Sequence, residues 1–173
     1  MPPNYLKALS GSLVLLRTLR LLNMSLGAVC ILAFAASFLF EPPLRGYYDS
    51  RPSYDSDLII PTLRVGMVIG LAIFAVAHKL ICGLLAIVET VRTGDPFLPE
   101  NAVRMNTVAW CLLAIQLLDL AFSMISRMLK AGGAQVGDWS FSITGWVAVV
   151  LLFVLARVFE EGARIRADLE AMV

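Results

Sequence analysis

Three ionisable residues, His78, Lys79 and Asp119, stand inside runs of apolar side chains, and Gln116 precedes Asp119 by about one helical turn. An ionisable group in hydrocarbon is costly, so each is a functional candidate in its own right. Counting from the ends of the runs brings them to one depth. Asp119 lies eleven residues past Val108 and His78 ten residues before Val88, each about 15 Å at the usual helical rise. Two antiparallel helices would then set Asp119 against His78 or Lys79, with Gln116 assisting. Such a cluster is either a clamp between helices or a proton-sensitive or ligand-binding site, because a histidine can titrate near neutral pH.

Other chemistry has little to work with. The chain holds no HExxH, GxSxG, phosphate-binding loop, dinucleotide glycine fingerprint or EF-hand, the motifs by which common catalytic sites are read. One histidine and the dispersed Cys30, Cys82 and Cys111 assemble neither a nucleophilic triad nor a metal cage. The expectation is a protein that is not an enzyme, with no catalytic residue, cofactor or metal. Asp49, Asp55 and Asp57 read as a solvated loop surface.

The elements that position these residues follow from composition. Hydrophobic residues make up 59% of the 173 positions and charged residues 16%, which excludes an ordinary water-soluble domain. A net charge of +1 offers no basic field, so direct binding to nucleic acid is not expected. Crossing a bilayer takes about 20 apolar residues. Leu21 to Phe40, Val65 to Val88 and Val108 to Met128 meet that length, and Ile143 to Phe159 is somewhat short. The expected fold is all-α: a single integral membrane four-helix bundle over residues 1–173, with helices near 21–40, 62–93, 99–128 and 142–172. The first run ends in SFLFEPP without a small-residue cleavage site, so it is expected to stay in the mature protein. With both termini in the cytoplasm, eight Lys and Arg from Lys7 to Arg166 lie inside against five outside, from Arg45 to Lys130. That balance favours this orientation. Glu41 to Thr62, with Tyr47, Tyr48 and Tyr54, reads as an exposed external loop, and Leu129 to Phe141 as a flexible turn.

The helices outrun the membrane. One can start at Pro61 and run to Thr93, capped by Gly94, and the next can start at Pro99. At about 50 Å such helices exceed the roughly 30 Å hydrocarbon layer, so the bundle is expected to protrude into the cytoplasm. The last helix continues through EEGARIRADLEAMV, where Val158, Gly162, Ile165, Leu169 and Met172 form an apolar seam. Glu160 with Arg164, Arg164 with Asp168, and Arg166 with Glu170 are spaced for ion pairs across one turn. The seam either completes the bundle or docks a cytosolic partner. The amphipathic segment 5–20 either lies on the membrane surface or extends the first helix. Gly27, Gly66, Gly70, Ala72 and Gly83 offer close helix contacts, which would also serve a homodimer.

Between the second and third runs stands TGDPFLPENAVRM, residues 93–105. Gly94 can end one helix, Asp95 before Pro96 leaves helical geometry, and Pro99 opens the next helix. A tight hairpin explains these residues better than it explains Glu100, Asn101 and Arg104. The stretch, together with VFEEGARIRADLE at 158–170, resembles the bacterial membrane proteins grouped as domain of unknown function 2975. The pattern falls on Gly94, Asp95, Pro96, Phe97, Glu100, Asn101 and Arg104, then on Phe159, Gly162, Arg166, Asp168 and Leu169, with Glu160 beside them. Ile165 stands where the family more often has Leu. The resemblance covers the second half of the chain well and the first half only as two apolar spans.

The resemblance implies a four-helix protein of the bacterial inner membrane, often encoded beside a small Cro/CI-like helix-turn-helix regulator, and it lends no catalytic residue. It suggests a regulatory interaction protein that binds or restrains that regulator at the membrane. Both motifs fall on the cytoplasmic side, where they could form one face. The alternative is a receptor or carrier that binds a small amphiphile or proton in the polar bundle interior.

Overall fold

The computed structural model describes residues 3–50, 55–92, 98–131, 143–170 and 172. Among these described residues five helices follow in order: α1 (Pro3–Leu39), α2 (Glu41–Asp49), α3 (Ser56–Arg92), α4 (Pro99–Ala131) and α5 (Ile143–Glu170). Four of them, α1, α3, α4 and α5, are long and apolar enough to cross a membrane. The chain is therefore an all-α, multi-pass membrane protein. The start of α1 and the end of α5 lie at one end of the row of spans, called here the terminal end, and α2 lies at the other.

The segment 5–20 is continuous with α1, which makes that helix 37 residues long and about 55 Å at the usual rise. Hydroxyl side chains are tolerated in this apolar helix because each spends its hydrogen bond locally. Ser12 donates to Leu9 O at 2.9 Å, Thr18 to Val14 O at 2.9 Å and Ser25 to Leu22 O at 2.9 Å.

The segment expected as an external loop is largely helical. Pro42 and Pro43 cannot continue α1, but they fit the first turn of a new helix, and α2 begins at Glu41. Helix α3 begins at Ser56 rather than at Pro61. Asp55 supplies the missing start: its carboxylate accepts the Asp57 N–H at 3.0 Å and its carbonyl the Ile59 N–H at 2.9 Å.

An ionic chain ties this end together. Arg64 of α3 donates to Ser37 O at 2.7 Å and to Glu41 Oε2 at 2.8 Å, with its guanidinium 3.9 Å from the centre of the Phe38 ring. Arg45 bridges Glu41 at 3.0 Å and Asp57 at 2.6 Å. Arg64 and then Arg45 hold the Glu41 carboxyl below its ordinary range. A carboxyl lowered in the folded state stabilises above its unfolded pKa, and that contribution is lost as pH falls through the lowered value. A nitroxide label at Tyr47 should accordingly be immobile at neutral pH and gain mobility only below the ordinary glutamate range. In Glu41→Gln it should be mobile throughout.

Among the described residues each span contacts only the next span along the chain, α1 with α3, α3 with α4 and α4 with α5, while the short α2 touches α1 and α3. Among the described residues no backbone approach joins α1 to α4 or α5, or α3 to α5. The bundle is thus an open row, with large apolar side chains such as Leu32, Leu117 and Val150 left on its surface, as a lipid solvent permits. Glycines set the spacing. Gly27 of α1 faces Phe74 of α3, Gly70 of α3 faces Cys30 of α1, and Gly66 and Gly83 of α3 face Phe122 and Val108 of α4. The glycines that suggested a homodimer are therefore used inside the chain. A Cβ at Gly83 would lie 3.0 Å from Val108 Cγ2. Gly83→Leu should lower thermal stability in detergent by about 1–3 kcal/mol through overpacking.

Candidate interaction face at the terminal end

Where α3 leaves the row and α4 enters it, a polar clamp replaces the apolar contacts. Asn101, in the first turn of α4, is fully buried at 0% exposure. Its side-chain amide donates to Thr90 Oγ1 of α3 at 2.7 Å, and the Thr90 hydroxyl donates to Ile87 O at 2.7 Å. Arg104 Nη1 donates to Asn101 Oδ1 at 3.0 Å, and the Asn101 N–H to Leu98 O at 2.9 Å. Asn101 therefore cannot touch a partner directly. It was expected on the interaction face, but its amide is consumed in joining two helix ends. Thr90 escaped notice because a threonine in an apolar run usually bonds only its own backbone.

Below the clamp, Ile87 of α3, Met105 of α4 and Ala156 of α5 are buried together, with Val91, Leu152 and Phe159 against them. Phe159 is thus half-buried packing rather than an exposed contact. Leu152, Ala156, Phe159 and Ala163 recur at intervals of four, three and four, which places them on one helical face. Small Ala156 and Ala163, both buried, let α4 approach.

This stripe displaces the one expected to pack. Val158, Ile165, Leu169 and Met172 point away from the row, with Ile165 53% and Leu169 59% exposed. Gly162 is half-buried beside Ala163. Two stripes on α5 share the same spacing, and the one with alanines allows close contact while the bulkier one remains outside. The charged faces pair over three residues: Arg157 with Glu160 at 2.7 Å and Arg164 with Glu161 at 2.8 Å. Arg164 thus meets Glu161 in place of Glu160 or Asp168.

Between α4 and α5 an open groove of about 1370 Å³ is floored by Ala102 and Ala163 and edged by Asn106, Arg157, Glu161 and Arg164. Glu100, Glu160, Arg166 and Asp168 are exposed around this end, and Arg104 is half-buried. The motif residues at the entrance of α4 and the exit of α5 are therefore brought to one end of the molecule, with a division of labour between inner and outer residues. Gly94, Asp95, Pro96 and Phe97 lie outside the described residues, as does most of the stretch from Leu129 to Phe141.

The intramembrane quartet does not gather. His78 shares a stripe with Phe74 and Ile81, which face α1, and its ring nitrogen approaches Cys82 Sγ at 3.6 Å. The contacts of Gly83 with Val108 and of Gly66 with Phe122 set the register of α3 against α4. They leave Asp119 level with the region of Gly70, about 10 Å along the axis from His78. Among the described residues Asp119 makes no ion pair with either His78 or Lys79. Gln116 turns toward α5, where it fills the space that a side chain at Gly145 would need. Counting from the ends of the apolar runs missed this because the runs of α3 and α4 are offset. Among the described residues, then, these four side chains do not form the shared polar cluster that the receptor or carrier reading expected.

A family model described as Protein of unknown function (DUF2975) matches residues 44–173. No curated protein and no solved structure matches the chain.

Proposed function

The chain belongs to the DUF2975 family, and on that premise we propose that it is a non-enzymatic regulatory protein that binds or restrains a cytosolic helix-turn-helix transcriptional regulator. The terminal end is the cytoplasmic end in this reading, and the bilayer is the bacterial inner membrane. The observation that carries the reading is the exposed seam of α5. Ile165 and Leu169 form an outward apolar stripe, with Met172 exposed past the helix end, on a helix that has already become charged at Glu160, Glu161, Arg164 and Arg166. Lipid covers apolar surface along the spans, whereas an apolar stripe flanked by charges beyond them fits a protein partner. The choice of partner rests on the resemblance, which implies a regulator encoded nearby.

The test is co-purification in detergent with the adjacent helix-turn-helix regulator, comparing wild type with Arg166→Glu and Asp168→Arg. The reading expects the regulator to be recovered with wild type and depleted by both charge reversals. Absence of the regulator from the wild-type complex would refute it.

A further inference from the structure

We propose that the α1–α3 hairpin binds the phosphate of an anionic phospholipid through Arg17, Arg20 and Lys79, in the leaflet nearest the termini. Two contacts bracket the site. Asn23 of α1 donates to Phe74 O of α3 at 3.1 Å, and Leu13 of α1 packs with Ile81 and Leu85 of α3. Because the helices are antiparallel, Arg17 and Arg20 lie opposite the stretch that holds His78 and Lys79, all within about 10 Å along the axis.

Their side of the row is fixed by the same contacts. On α1 the α3-facing stripe contains Leu13, Leu16 and Asn23, and Arg17 and Arg20 lie on its shoulder. On α3, Lys79 stands between the stripe facing α1 and the stripe facing α4, at the level of Cys111 of α4 by the register that Gly83 and Val108 set. Two right-handed helices of opposite sense open these shoulders on one broad face of the row. Arg17, Arg20 and Lys79 are all exposed. Among the described residues none of the three has an ion pair or a side-chain hydrogen bond.

No counter-charge is close in the chain. α1 contains no acidic residue, and α3 has none between Asp57 and Glu89. Three cations at one level beside a membrane span, without a carboxylate, call for an external anion. Leu21 and Met24, one turn beyond Arg17 and Arg20, lie exposed beside them on α1, which suits a ligand with an anionic head and long apolar tails. A free phosphate has the head but would leave that apolar surface unused.

The experiment is native mass spectrometry of the full chain released from nanodiscs of equal phosphatidylglycerol and phosphatidylcholine. Wild type should retain phosphatidylglycerol over phosphatidylcholine by about fivefold or more, as expected for several cations acting near a surface. Arg17→Gln/Arg20→Gln/Lys79→Gln should bring the two lipids to parity. Arg17→Lys/Arg20→Lys and Arg164→Gln should keep the preference. Should the triple variant fail to fold, Arg20→Gln and Lys79→Gln should each reduce the preference part-way. Parity in wild type, or undiminished preference in the folded glutamine variants, would overturn the assignment. Binding of inorganic phosphate to wild type in pure phosphatidylcholine nanodiscs, lost in the glutamine variants, would overturn a lipid as the source.

Discussion

Replacing Asn101 with leucine is expected to destabilise the protein by about 2 kcal/mol, the range for a buried polar network that loses one partner. The side chain is fully buried and joins Thr90 of α3 to Arg104 of α4. Leucine keeps the volume but leaves both partners without its amide. Thr90→Val alone should also destabilise. Combining the two substitutions should recover part of the loss, because apolar groups then meet across the same contact. The readout is thermal unfolding in detergent, with Glu100→Gln as an exposed control that should change little. An additive double variant would mean that Thr90 and Asn101 are not coupled and that the clamp is misassigned.

The second large effect falls on binding. Ile165→Glu with Leu169→Glu should weaken recruitment of the helix-turn-helix regulator by tenfold or more, roughly the loss of one central apolar anchor of 1.4 kcal/mol or above. Stability should hold within about 0.5 kcal/mol, since exposed positions tolerate such changes. Ala163→Leu should behave in the opposite sense. That residue is buried against α4, so its enlargement should disturb folding, with any loss of binding following from it. Binding measured by recruitment to proteoliposomes, set beside the unfolding curves, separates the two.

How much of this was legible depended on which physical signal dominated. Four spans were readable because a run such as Val65 to Val88 has one solvent it can inhabit. The register between α3 and α4 was not readable, because it is set by Gly66 and Gly83 meeting Phe122 and Val108, a matter of shape that hydropathy does not encode. On α5 the pattern supplied two stripes of equal spacing, and only side-chain size, small at Ala156 and Ala163, decides which one packs. Asn101 was expected on the interaction face and is instead buried, because helix ends that extend past the apolar runs have an interior of their own. The α2 end was missed for a related reason. Arg64 stood only among the five charges counted outside, yet its guanidinium gathers Ser37 and Glu41 into one contact.

Site-specific photocrosslinking in intact membranes puts the proposed interface to its most direct test. A photoreactive amino acid at Ile165 or Leu169, both exposed on the outward seam of α5, is predicted to crosslink the co-expressed helix-turn-helix regulator. The same probe at Val150, exposed on the spanning part of the same helix, is predicted to give no such product. Crosslinks at Val150 equal to those at Ile165, or none at either seam position, would contradict regulator docking on the seam.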